Sequence, residues 1–112
     1  MQIATYEKEG TLIINIIGEV DLYNAPKIKE VINDTIKKNF TKFIINMNEV
    51  TYIDSTGIGS LIFARQTILA AKGSLRLINI KDSVKKIFEL TKLNNFFTIY
   101  NSESEAIASF SK

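Results

Sequence analysis

Histidine and cysteine are both missing from the 112 residues. Without thiols there are no disulfides, no thiolate metal sites and no cysteine nucleophile. Without imidazole there is no Ser-His-Asp triad, no phosphohistidine relay and no ordinary zinc site. The four Asp and eight Glu are the remaining acid–base groups. They fall on expected helix faces and turns, and no two form a convincing acid/base pair. Hence no catalytic residue, metal or cofactor is expected.

Charge of one sign is also scarce. The formal net charge is +2, with basic residues from Lys8 to Lys112 interleaved with acids, so no stripe marks a direct nucleic-acid surface. The longest apolar run, Leu12-Ile13-Ile14 then Ile16-Ile17, is broken by Asn15 and falls short of the roughly 20 residues of a membrane span. Met1-Gln2-Ile3 opens no signal-peptide pattern, and the expectation is a soluble cytoplasmic chain without membrane contact. One proline, five glycines and 46% hydrophobic content suit one compact domain over 1–112, with no linker, repeat or low-complexity tract.

Within that domain, Ile3 to Glu7 and Thr11 to Ile17 read as strands of a hairpin turning at Lys8-Glu9-Gly10. Asn24-Ala25-Pro26 opens a helix with Ile28, Val31, Ile32 and Ile36 on one face, ending near Lys38-Asn39. Lys42 to Met47 is a third strand, followed by a helix from Ser55 to about Lys72-Gly73 and an alternating strand from Ser74 to Ile80. Asp82-Ser83 caps a helix bearing Val84, Ile87, Phe88 and Leu90. Phe97 to Tyr100 is a short strand, and Ser102 to Glu105 is a capping box before a last helix. This order predicts an α/β fold: a mostly parallel sheet of four to five strands with one antiparallel edge strand and about four helices. The loops Gly18 to Asn24 and Asp54 to Gly59 then open on one rim, making neighbours of Asp21, Asp54 and Ser55.

The run Tyr52-Ile53-Asp54-Ser55-Thr56-Gly57-Ile58-Gly59 hands a strand over to a helix, with Ser55 or Thr56 as N-cap. A helix N-terminus favours anions, so a phosphoryl group on such a hydroxyl is electrostatically tolerated. Gly57 and Gly59 remove side chains from the first turn and permit close approach by another backbone, a nucleotide or a partner. The plainer alternative is that Asp54-Ser55-Thr56 only starts a helix. No third glycine of a dinucleotide fingerprint, no Gly-Lys-Ser/Thr loop and no Gly-x-Ser-x-Gly surround Ser55.

Gly18-Glu19-Val20-Asp21, Ile44-Ile45-Asn46-Met47 and the Tyr52 to Gly59 run together resemble the STAS-domain family, and within it the stand-alone anti-sigma factor antagonists of bacteria. The resemblance spans nearly the whole chain. It implies a STAS fold and a partner switch. The unphosphorylated chain would bind an anti-sigma factor that is also a serine kinase, releasing a sigma factor. Phosphorylation at Ser55, with Thr56 as the weaker alternative acceptor, would end the interaction, and a metal-dependent serine phosphatase would restore it. The chain would be substrate and ligand, a monomer or weak dimer. Beside the matching acceptor Ser55, the residues themselves suggest a partner-binding set of Asp21, Tyr23, Asp54, Ser55, Thr56, Gly57, Ile58 and Gly59. In it, Asp21 and Asp54 position basic groups of the partner or the acceptor hydroxyl, and Tyr23 and Ile58 offer apolar contact. Against these stand structural readings: Asp21 stabilising its own turn, Asn46 bonding nearby backbone, Tyr23 and Ile58 packing in the core. A rival function is a STAS scaffold binding a nucleotide or other small molecule without phosphorylation.

Overall fold

A computed structural model describes residues 1–111; Lys112, the last residue of the expected domain, lies outside them. The chain starts with strand β1 (Gln2–Lys8) and strand β2 (Thr11–Val20), antiparallel from Lys8↔Thr11 to Gln2↔Ile17. Between them Glu9 and Gly10 both hold positive φ, 52° and 77°, the left-handed pair of a two-residue type I′ hairpin. Helix α1 (Ala25–Lys37) leads to β3 (Lys42–Ile53), and α2 (Ser55–Ala70) leads to β4 (Ser74–Ile78). Then come α3 (Asp82–Leu90), the single turn α4 (Leu93–Phe96), β5 (Ile99–Tyr100) and α5 (Glu103–Ser109). Strands β2 to β5 run parallel, in the spatial order β1-β2-β3-β4-β5. This is the expected mixed sheet with one antiparallel edge, with α4 as a fifth helix.

The pleat sorts β2 between two cores. Leu12, Ile14 and Ile16 face one side with Ile28 and Ile32 of α1, Leu61, Ala64 and Ile68 of α2, and Val84 and Phe88 of α3. Ile13 faces the other, with Ile44, Ile78 and Ala106 of α5. Alternate positions pointing to opposite faces explain why a run that is apolar at nearly every residue is still a strand. The capping box forms: Ser102 Oγ accepts from the Glu105 N–H at 3.2 Å and donates to Glu105 Oε1 at 3.1 Å.

Two boundaries differ from the sequence reading in a way that matters. β2 runs on to Val20 and β3 to Ile53, past the expected ends at Ile17 and Met47. β3 pairs with β4 only as far as Asn46↔Ile78, while its pairing with β2 continues to Val20↔Ile53 through two register shifts. The shifts let a polar stretch, Asn48-Glu49 and Thr51-Tyr52, stay exposed while Val50 and Ile53 remain buried. As a result β2 and β3 project beyond the rest of the sheet and carry the next two loops with them.

Candidate functional site

The projecting ends of β2 and β3 bring together the β2–α1 turn and the start of α2. Asp54, not Ser55 or Thr56, is the N-cap of α2: its backbone is extended (φ −100°, ψ −177°) and its Oδ1 accepts from Gly57 N–H at 2.8 Å. The second oxygen, Oδ2, accepts from Leu22 N–H at 3.1 Å, and the Asp54 N–H donates to the Val20 carbonyl at 3.1 Å. One carboxylate therefore joins both loops. Each oxygen of Asp54 thus has one internal donor, which fixes the carboxylate beside Ser55 and leaves each oxygen a further lone pair.

With the cap taken by its neighbour, Ser55 is the first residue of the helix proper. It is exposed, and among the described residues its hydroxyl makes no hydrogen bond. Thr56 is exposed too. Ser55 and Thr56 N–H have no acceptor in the helix, being in its first turn, whereas Gly57 N–H goes to Asp54 and Ile58 N–H to the Asp54 carbonyl. Two free N–H groups at the positive end of a helix running from Ser55 to Ala70 adjoin the free hydroxyl.

The two glycines do different things. Gly57 is buried, and a Cβ there would come within 2.8 Å of the Val20 carbonyl oxygen and 2.7 Å of Ile53 Cγ1. The close approach it permits is by another backbone, the Val20 end of β2, which is the first of the expected alternatives; at Gly57 the space is not open to a partner. Gly59 is exposed with nothing within 4 Å of such a Cβ. Ile58 is half-buried and packs against the main core.

Asp21 is occupied with its own turn. Its Oδ1 accepts from Tyr23 N–H (3.0 Å) and Asn24 N–H (3.2 Å). Asn24, expected to cap α1, returns the favour to Asp21: its Oδ1 accepts from Asp21 N–H at 2.8 Å, and its amide donates to the Glu19 carbonyl at 2.9 Å. This is an Asx-type turn closed from both sides, and the structural reading of Asp21 holds. Asn46 accepts from Asn48 N–H (3.0 Å) and from the Asn79 amide (3.1 Å), so it terminates the β3–β4 pairing.

The turn so fixed displays Leu22 at 60% and Tyr23 at 89% exposure, and Tyr52, opposite Glu19 on the neighbouring strand, is 49% exposed. Tyr23 is thus a surface side chain rather than a core one. Leu22 and Tyr52 escaped the sequence reading because an isolated Leu or Tyr in a strand-rich stretch reads as core. Three large apolar side chains with the carboxylates of Glu19, Asp21 and Asp54 give the rim an apolar surface set among negative charge.

The sheet, its order and this rim define an α/β module that displays two joined loops at one edge of a mixed sheet. The chain belongs to the STAS-domain family, whose sequence profile matches residues 2–106. It is 35% identical over 92 residues to the anti-sigma-B factor antagonist of Listeria monocytogenes, covering 82% of this chain and 81% of that protein. Its fold is shared by an anti-sigma factor antagonist from Mycobacterium paratuberculosis, with a TM-score of 0.87, 17% identity, and coverage of 99% of this chain and 94% of that one. It is shared also by the Bacillus cell fate determinant SpoIIAA, solved in its phosphorylated form, with a TM-score of 0.74, 23% identity, and coverage of 97% and 99%.

Proposed function

We propose that this chain, residues 1–112 acting as one STAS domain, is an anti-sigma factor antagonist of the cytoplasm that is switched by phosphorylation of Ser55. Unphosphorylated, it binds an anti-sigma factor that is also a serine kinase, and a sigma factor is released. The kinase then esterifies Ser55, and a metal-dependent serine phosphatase reverses the step. The chain is ligand and substrate, not catalyst. The observation that carries this reading is the free, exposed Ser55 hydroxyl, relieved of capping by Asp54 and joined through Asp54 to the Leu22–Tyr23 turn.

The physics favours a switch of affinity rather than of shape. A phosphoryl group adds about −1.5 to −2 charges. At the first turn of α2 it meets the helix's positive end and the unbonded Ser55 and Thr56 N–H groups, so the fold tolerates it. Its cost falls on the complex, where a dianion joins Glu19, Asp21 and Asp54 on a rim that a partner must cover.

Incubation with the cognate kinase and ATP, followed by phosphopeptide mapping, should place one phosphate on Ser55. Ser55→Ala should bind the anti-sigma kinase and stay bound in the presence of ATP, whereas Ser55→Asp should bind at least about tenfold more weakly. Equal affinity of the two variants, or phosphate found only elsewhere, would reject the switch.

A further inference from the structure

We propose that the crevice between the ends of β4 and β5 is a binding site for a small zwitterion with a branched aliphatic side chain, an α-amino acid of the leucine, isoleucine or valine type. Strands β2, β3 and β4 each pass to a helix on one face of the sheet, where α1, α2 and α3 pack into the larger core. β5 passes to the other face, where Ala106 of α5 joins Ile13, Ile44 and Ile78. β4 and β5 are parallel neighbours, so the segments leaving their carboxyl ends turn away from each other and open a gap. Open α/β sheets bind small ligands in a gap of this origin, outside the carboxyl ends of two strands whose connections diverge to opposite faces.

A cavity of about 170 Å³ lies there. Its wall is apolar: the fully buried Phe88 of α3, with the half-buried Ile99 of β5 and Ile80, which follows the end of β4. Its lip is polar and carries one charge of each sign. Lys85 and Glu89 stand one turn apart on α3, which sets their Cβ atoms about 5–6 Å from each other, and Asn94 of α4 and Asn101 at the end of β5 add two carboxamides. Among the described residues none of these four side chains makes a hydrogen bond or an ion pair. By contrast Asp21, Asn24 and Asp54, which lead out of β2 and β3, are all bonded within the chain. A cavity of about 150 Å³ admits benzene, so this one takes a side chain of leucine size with its polar head at the lip. The lip selects a zwitterion because its own charges are paired in the same way, Lys85 for the carboxylate and Glu89 for the ammonium, with the carboxamides completing either group. A ligand with only a carboxylate would face Glu89, and one with only an amine would face Lys85. β5 is an edge strand separated from β3 by β4, so an occupant leaves the Ser55 loop uncovered.

Proton–nitrogen NMR of the full labelled chain titrated with L-leucine should move the backbone amides of Ile80 and Asn101 and the side-chain amides of Asn94 and Asn101 along one saturating curve, with a Kd on the order of 100 µM. Isocaproate and isoamylamine carry the same side chain with one charge each and should bind at least about tenfold more weakly. Lys85 and Glu89 are exposed, so replacing them should leave the melting curve unchanged. Lys85→Ala should weaken leucine binding about tenfold and abolish its preference over isoamylamine, and Glu89→Ala should abolish its preference over isocaproate. No saturating shift up to about 20 mM leucine, shifts centred on the Ser55 loop, equal affinity for leucine and isocaproate in the parent chain, or preferences untouched by the two substitutions would each overturn the proposal.

Discussion

Gly57 and Gly59 lie in the same turn of α2, and replacing each with alanine should move stability in opposite directions. At Gly59 the new methyl meets nothing within 4 Å, so only helix propensity acts, a gain of about 1 kcal/mol. At Gly57 the same propensity gain is offset by contacts at 2.7 Å to Ile53 Cγ1, 2.8 Å to the Val20 carbonyl oxygen and 2.9 Å to Val20 Cγ1. One of these is backbone already engaged by the Asp54 N–H, which has little room to yield. Overpacking of this kind costs about 2–3 kcal/mol, so the net loss for Gly57→Ala is about 1–2 kcal/mol. For a chain of this size that lowers Tm by roughly 4–8 °C, whereas Gly59→Ala raises it by about 4 °C. Urea titration and thermal melts followed by circular dichroism measure both. The reasoning fails if Gly57→Ala is as stable as the parent, or if both substitutions shift Tm the same way.

Three further outcomes are expected. Asp54→Ala removes the α2 cap and the acceptor of Leu22 N–H, and should cost about 1–2 kcal/mol while hydrogen exchange quickens at the Leu22 and Gly57 amides together; protection lost at only one of them would refute the bridging role. Leu22→Ala and Tyr23→Ala, being exposed, should leave stability within about 0.5 kcal/mol but weaken binding of the anti-sigma kinase about tenfold or more, as read by calorimetry. Finally, the hydrogen bond to Glu103, with burial and the Glu103 charge adding to it, pushes the Tyr6 hydroxyl up to about 12 from 10.0. A raised pKa favours the protonated, donating form. Its stabilisation is therefore complete below pH 10 and is lost as pH climbs toward about 12. Urea midpoints between pH 9 and 12 should fall more steeply for the parent than for Tyr6→Phe, and parallel curves would refute the link.

Much of the architecture was legible because local signals agreed with the global fold. The Glu9-Gly10 turn, the Ser102–Glu105 box and the apolar faces of α1 and α3 each declared themselves through spacing or backbone demand. The projecting end of β3 was hidden because its two register shifts break the period-2 pattern that identifies a strand. α4 was hidden because a four-residue turn has no periodicity to read. At the site, Asp54-Ser55-Thr56 offers three consecutive side chains able to cap, and only the orientation of the chain leaving β3 decides among them. Which of its expected neighbours Gly57 admits was not legible, because nothing in a sequence says that Val20, far back along the chain, presses on it. The exposed Leu22 and Tyr52 depended on the same long-range geometry.

Because Asp54 alone closes the joint between the two loops, its neighbour bears no architectural duty. Under the proposed switch, a single codon change at position 55 would silence or mimic the signal in an otherwise intact molecule. Regulation here is free to evolve faster than the scaffold that displays it.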